Sequence, residues 1–452
     1  MISIEGNGLG NCIEKGKQCC KFYSEVIALP QSSANLKDIS IKKILVVAES
    51  IDIEDSSGTK GRVALIKNLH KAGFEVIVYH YTRKDIQLEG IPSASIKENR
   101  FSLLFFLSRI ERQIRYITGW ELNKYIEQLY GFSFTLFNDR NSIIAGLKKI
   151  KDFEPDLVLT LSKGGSFRPH HALLKIPKWH SKWMAYIHDP YPFQAYPRPY
   201  DYVEPGHQKK RNFFLNVGKK AKYAAYPSEL LAEWMESYYR PLRGKAVIIP
   251  HQIIAVDHKD YNFPEYFNKD NFNILHAGNL LWGRDPKGLI EGFQLFLHNN
   301  PEARANSRLI FLGGKNHYSD LLVKIRSEVA QMYVSEDYMP HPQVINMQIH
   351  ASVNVILEAK STISPFLPGK FPHCIQADKP ILLLGPYYSE SRRLLGDTYK
   401  YWTEIDKAEE IANLIANLYM NWKKDAGFNF YRPELKDYLS EPYLSKTIKE
   451  LR

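Results

Sequence analysis

The chain has 452 residues and only four cysteines, Cys12, Cys19, Cys20 and Cys374. The first three share a short N-terminal stretch with no histidine nearby to complete a zinc site, which leaves no disulfide framework or zinc ribbon to expect and points to a reducing compartment. Long apolar runs are also lacking. The longest near the front, Leu103-Leu104-Phe105-Phe106-Leu107, falls far short of the ~20 residues a membrane-spanning helix needs. The opening MISIEGNGLGNCIEKGKQCC has no basic start followed by an apolar stretch, so it does not read as a signal peptide, and a cytoplasmic location is expected. There is no internal repeat and no low-complexity block. Gly58 and Gly61 do not make the G-x-G-x-x-G fingerprint, so a nicotinamide or flavin cofactor has little support. His170-His171 beside Arg168 lacks the helical H-E-x-x-H context, so no metal is expected there.

What is present describes a packed globular chain long enough for two domains. Apolar residues make up 44% and charged residues 24% of the sequence, close to the globular average. The formal charge of +11 favours anionic partners: phosphates, nucleotides, nucleic acid or acidic lipid. No recognised nucleic-acid module accompanies it and the aromatics are scattered, so nucleic acid is not an expected partner.

The apolar pattern predicts a succession of buried parallel strands. IKKILVVA, from Ile41 to Ala48, is a continuous apolar strand; a turn over residues 56–61, a helix ending at Gly73 and the strand FEVIVYHY complete a βαβ unit. DLVLTL and WMAYI follow as strands, the latter ending at His188-Asp189-Pro190, and AKYAAYPSELL reads as a strand followed by a helix capped by Ser228. After a polar connection over residues 250–271 the rhythm restarts with FNILHA, RLIFLGG, VNVILEA and KPILLL. The expected fold is therefore α/β, two Rossmann-like halves. Residues 1–40 form an N-terminal extension, 41–255 and 256–427 the two domains, and 428–452 a helical end returning to the first domain.

Ligands of such sheets sit beyond the carboxyl ends of the strands, which makes His188 and Asp189 functional candidates. The turn GNLLWGRDPKG, Gly278 to Gly288, brings Arg284 and Lys287 to the second sheet's edge. There a guanidinium and an ammonium beside a helix start suit a phosphate. A proline-fixed loop, SPFLPGKFPH from Ser364 to His373, adds Lys370. From Leu103 onward, Leu103, Leu107, Ile110, Ile114 and Ile117 recur at helical spacing beside Arg109, Arg112 and Arg115, a pattern suited either to an anionic membrane surface or to ordinary packing on the first domain. A second basic cluster, Lys209, Lys210, Arg211, Lys219, Lys220 and Lys222, reads as an extension of that patch or as solvated charge.

In their order, the opening strand with its glycine turn, HDPYP, HAGNLLWGRDP, SPFLPGKF and DKPILLLGP resemble the GT-B glycosyltransferases, nearest to the retaining type of glycosyltransferase family 4. The resemblance covers about Ile41 to Trp422. It implies GT-B architecture, with an acceptor domain first, a nucleotide-sugar domain second and chemistry in the cleft between them. The donor would be a nucleoside-diphosphate sugar of UDP or GDP type, with no further cofactor. The acceptor would be a glycan, a glycolipid or a protein, reached at the inner face of a membrane if the basic stripe docks there. Relatives of this type usually need no metal, and the chain has no two aspartates spaced D-x-D. Gly58, Gly278, Asn279, Arg284, Lys287, Lys370 and His373 would then line the donor site, with His188, Asp189 and Arg284 at the reacting centre. The sequence departs from the family where two glutamates in an E-x7-E pattern are usual: Pro365 and His373 stand there. A sugar-nucleotide epimerase and a catalytically silent scaffold are the alternatives.

Overall fold

The computed structural model describes residues 41–253, 262–315, 317–335 and 339–452. The expected N-terminal extension, with Cys12, Cys19 and Cys20, lies outside the described residues. The chain from Ile41 to Arg452 forms one compact unit built on two parallel sheets.

The first sheet contains β1 (Lys43–Ala48), β2 (Glu75–His80), β3 (Ser93–Ser95), β4 (Leu157–Leu161), β5 (Trp183–Tyr186), β6 (Tyr223–Tyr226) and β7 (Ala246–Ile248). Their order is β3-β2-β1-β4-β5-β6-β7 and every pairing is parallel. The second contains β8 (Phe272–Ala277), β9 (Ser307–Leu312), β10 (Met332–Val334), β11 (Val353–Leu357), β13 (Ile381–Leu384) and β15 (Trp402–Thr403) in the order β10-β9-β8-β11-β13-β15, also parallel. A small ladder pairs β12 (Ile363–Ser364) with β14 (Tyr388–Ser389). In each main sheet the order reverses beside the first strand, β1 or β8, a topological switch point where open α/β sheets form a crevice.

Among the described residues, fifteen helices accompany these strands. The first half has α1 (Ser57–Lys71), α2 (Leu103–Thr118), α3 (Leu122–Tyr130), α4 (Phe134–Leu147), α5 (Arg168–Leu173), α6 (His207–Lys220) and α7 (Glu229–Tyr238). The second has α8 (Lys287–Asn299), α9 (Ser319–Glu328), α10 (His341–His350), α11 (Phe371–Gln376), α12 (Glu390–Leu395), α13 (Ala408–Lys424), α14 (Pro433–Tyr438) and α15 (Glu441–Lys449). Among the described residues no helix is long and apolar enough to cross a membrane.

Alternation along the strands explains the layers. Leu45 and Val47 point into a core with Ile143, Leu147, Phe214 and Val217. Ile44 and Val46 point to the opposite face, against Ile66 and Leu69 of α1 and Leu444 and Ile448 of α15. The end of the chain thus closes one face of the first sheet. Ile274, Phe311 and Val355 of the second sheet pack against Phe293 and Phe296 of α8 and Ile411 and Ile415 of α13.

One expectation needs correction. The glycine stretch over residues 56–61 is not a turn; it forms the start of α1. Ser56 is extended (φ −170°) and its hydroxyl accepts the Thr59 amide at 3.2 Å, which satisfies one of the open donors at the helix start and draws Gly58 and Gly61 into the helix. Ser228 does cap α7, accepting the Leu231 amide at 3.2 Å.

Because Ile448 is 1% exposed in the core under the first sheet, Ile448→Ala should cost about 2–5 kcal/mol. Urea unfolding with an unchanged midpoint would show that the terminal helix adds nothing to this core.

Candidate active site

The second sheet supplies a cationic corner. His276 is the penultimate residue of β8 and is buried. Gly278 follows with φ +129°, a conformation that suits glycine, and a Cβ there would lie 3.3 and 3.4 Å from Cε and Nζ of Lys370. The missing side chain lets Lys370, just ahead of α11, cross over the end of β8. Its ammonium ends 2.7 Å from His276 Nε2. Loss of solvation, with Arg284 adding repulsion, pushes the Lys370 amine down to about 7, while burial, Lys370 and Arg284 hold His276 well below its ordinary value. Arg284 comes from the turn before α8, whose backbone is closed by Arg284 N donating to Leu281 O at 3.0 Å.

The first sheet faces this corner. Asp189, beyond β5, feels both Arg284 and Arg62 and hydrogen-bonds Tyr196; burial outweighs these and pushes its carboxyl up to about 6. His188 packs on Tyr186 with ring centroids 4.3 Å apart, and burial holds it neutral. Arg62 reaches the same edge from α1, where Nη1 donates to the Ser162 carbonyl at 2.9 Å. Burial pushes the Arg62 guanidinium down to about 10. Below it lies a network: Glu49 accepts the Lys163 amide at 2.9 Å and Arg168 Nη1 at 2.7 Å. Arg168 Nε then donates to Asp139, which also accepts from Tyr81 and Arg83 at 2.7 Å.

The two sides are joined directly. Tyr200 donates to the Trp282 carbonyl at 3.3 Å, and Ser228 Oγ to the Pro365 carbonyl at 2.6 Å. Glu390, from α12 of the second half, accepts the Glu229 and Leu230 amides at the start of α7 and pairs with Arg393 at 2.8 Å. A cavity of about 340 Å³ opens at the mouth between Tyr196, Arg198, Tyr200, Trp234 and Thr362.

The candidates are therefore not treated alike by the fold. Asp189, Arg284, Lys370 and Gly278 converge, while His188 lies beside Arg62 and Tyr186. Asn279 is a support, its Oδ1 accepting the Gly314 amide at 3.0 Å. Lys287 is exposed on α8 and its amide donates to Asp285 at 3.0 Å. Gly58 lies within α1. His373 stands ring to ring with His341 at 5.2 Å, pushed down to about 3 by burial. Two buried carboxylates escaped notice. Glu49 and Glu358 each follow an apolar strand, the position that had flagged His188 and could have flagged them. Glu358 accepts from Ser391 at 2.6 Å and Ser389 at 3.1 Å, burial raising its carboxyl. Lys210 is neither part of a basic patch nor solvated: it is buried between Glu127 and Glu204, at 2.8 and 2.6 Å. Among the described residues no group of three His, Cys, Asp or Glu side chains could hold a metal ion.

No protein-family model matches the chain, and neither does any curated protein. Solved structures do. A glycosyltransferase from Rickettsia africae superposes with TM-score 0.54 at 13% identity, over 90% of this chain and 93% of that one. The E. coli trehalose-6-phosphate protein bound with UDP-2-fluoro glucose gives 0.58 at 11% identity, over 91% of this chain and 100% of that one. A UDP-forming α,α-trehalose-phosphate synthase from Burkholderia xenovorans gives 0.54 at 10%, over 91% and 96%. The chain has the GT-B fold of these glycosyltransferases.

Because an anion at Nζ favours the charged lysine, an anionic probe such as pyrophosphate should bind with proton uptake above pH 7. Its affinity should weaken with rising pH by up to about tenfold per unit, and Lys370→Met should flatten the profile. Calorimetry at pH 8 in buffers of different ionisation enthalpy reads this directly; equal heats after buffer correction would assign the amine no role.

Proposed function

We propose that the protein is a glycosyltransferase that moves a sugar from a nucleoside-diphosphate donor, of UDP or GDP type, to a glycan, glycolipid or protein acceptor. The observation that carries the reading is the meeting of Arg284 and Lys370 at the second sheet's edge, opposite His188 and Asp189 of the first. A departing diphosphate accumulates negative charge on its bridging oxygen. Preorganised cations in a closed, poorly solvated cleft stabilise that charge better than water does. Arg284 forks onto phosphate oxygens and Lys370 adds a point charge. With these two cations at the diphosphate, the transfer is read as metal-independent, and EDTA should leave turnover unchanged.

Retention is the stereochemistry this arrangement favours. The acceptor hydroxyl attacks the anomeric carbon on the face the diphosphate leaves. The C–O bond to the phosphate breaks as the new glycosidic bond forms, and the hydroxyl proton passes to the leaving phosphate oxygen. His188, neutral and fixed against Tyr186, orients the sugar. Asp189, raised toward neutrality and bonded to Tyr196, hydrogen-bonds a sugar or acceptor hydroxyl. A cytoplasmic site of action fits a soluble nucleotide donor. Glu49, Arg168 and Asp139 hold the first edge rigid.

Arg284→Ala should reduce turnover by about 10²–10³-fold, the scale for losing one preorganised charge partner, with an unchanged melting temperature. Wild-type turnover in this variant would remove the assignment. A thermal-shift screen with UDP, GDP, ADP and their sugar conjugates identifies the donor first, since a ligand of the native state must raise its stability. Incubation with donor alone separates transfer from epimerisation, and selective binding without turnover in the presence of acceptors would favour a silent scaffold.

A further inference from the structure

Of the large apolar side chains that are exposed in the described chain, ten fall between Phe101 and Tyr130, on or beside α2 and α3. Phe101 is 93% exposed, Tyr116 87%, Ile117 76% and Trp120 67%. A folded surface normally spreads such residues singly, and a contiguous patch marks a binding face. Along α2, Leu103, Phe106, Ile110 and Ile117 recur at helical spacing on the outward face, while Ser108 on the opposite side is buried. The expected stripe is thus refined: Leu107 and Ile114 are half-buried, and Phe106 takes their place outside.

The surface is rigidly mounted. Ser102 caps α2 by accepting the Phe105 amide at 3.0 Å, and Gly119 ends the helix with φ +72°. Asn138 Nδ2 of α4 donates to the Asn99 carbonyl at 3.2 Å, and Ser142 accepts the Asn99 amide at 2.9 Å, holding the approach to α2. Glu127 and Gln128 of α3 hold Lys210 and the Gly206 amide at 2.8 and 3.0 Å. Gly206 must be glycine there: a Cβ would lie 2.0 Å from the Glu127 carbonyl oxygen. Residues 115–121, the corner between the two helices, are all exposed. They form the exposed tip of the α2–α3 corner.

We propose that the α2–α3 corner docks on a bilayer containing anionic phospholipid, with Ile117 and Trp120 entering the interfacial layer. Three features favour lipid over a protein partner. Residues 115–121 are exposed without exception, which leaves their side chains free to enter a lipid layer. Tyr116, Trp120, Tyr125 and Tyr130 are the amphipathic rings that settle at headgroup depth. The charge is complementary: Arg112 and Arg115 are exposed at the tip and Arg109 stacks on Phe105 at 4.6 Å, while Glu121 is taken up by Lys124 and Glu111 is half-buried. A purpose for the docking rests on the transfer reading. The segment that α3 grips carries the exposed Tyr202 and Val203 and, just before them, Tyr196 and Tyr200 of the cleft mouth, so a docked protein would present its cleft to a lipid-linked acceptor.

Sedimentation of the full chain with phosphatidylcholine vesicles, with and without 30 mol% phosphatidylglycerol, tests this. At low salt the vesicle partition coefficient should rise at least about tenfold with the anionic lipid, since Arg112 and Arg115 both gain attraction to its surface. Ile117→Asp with Trp120→Asp should abolish binding, and Arg112→Gln with Arg115→Gln should remove its dependence on phosphatidylglycerol. All four positions are exposed, so melting temperatures and UDP binding should match the wild type, which keeps a failed docking surface distinct from a failed donor site. Wild-type protein left in the supernatant with both vesicles, or an aspartate variant that sediments normally, would overturn the proposal. So would a lipid-free dimer, seen by sedimentation velocity, that the aspartate variant dissociates, since the face would then belong to a second copy.

Discussion

Lys370 is placed where an ammonium is poorly solvated and where its hydrogen-bond partner is a histidine ring nitrogen instead of a carboxylate. Burying a cation in that way is unfavourable unless something else fixes its position. The fixing elements are steric and local. Gly278 has no side chain to block the approach, Lys370 enters α11 directly, and Phe371, Cys374 and Ile375 anchor that helix in the core against Ile381 and Leu383. Packing of the apolar face of one short helix therefore holds the Lys370 amine in place although burial pushes it down to about 7. Cys374 belongs to this role: it is a buried packing residue whose thiol burial pushes up to about 12, and so it is inert as a nucleophile.

The first half solves the opposite problem. Its edge carries buried carboxylates and arginines that neutralise each other in sequence, Glu49 to Arg168 to Asp139 to Arg83. Removing one member of such a chain strands a buried charge, which costs far more than the net contribution of any single pair. The consequence is rigidity. His188 and Asp189 project from a platform whose buried carboxylates and arginines are paired with one another, and Asp189 itself is raised by burial and drawn back by Arg284 and Arg62.

The two-sheet plan was legible because parallel strands buried on both faces leave continuous apolar runs, and nearly every such run is a strand: KILVVA, LVLTL, FNILHA and ILLL. Residues just past those runs were legible as site candidates for the same reason, since only there can a polar side chain reach a ligand. Three things were not. The start of α1 hid behind glycines that usually signal a turn, and only the serine cap reveals the helix. The Lys210 pairing joins residues 83 and 6 positions away in sequence, and no local pattern encodes such a contact. Glu49 and Glu358 met the strand-end rule but carry no motif of their own. Position alone, applied without exception, would have found both.

What aligns the two edges is the junction at α7. The start of that helix presents open amides and the positive end of its dipole, and Glu390 of the second half supplies the negative charge, itself oriented by Arg393, which also reaches Glu229 at 3.1 Å. Ser228, capping the same helix, donates to the carbonyl of Pro365 in the loop that leads to Lys370. One helix terminus thereby binds both α12 and the loop that carries Lys370. Opening at this point would separate Asp189 from Arg284 and let bulk water reach both. Closing it restores the burial that raises the carboxyl and lowers the lysine, with Arg284 opposing the first shift and adding to the second. The acid–base state of the cleft is thus a property of the closed arrangement, set by a salt bridge and a helix dipole outside the reacting centre.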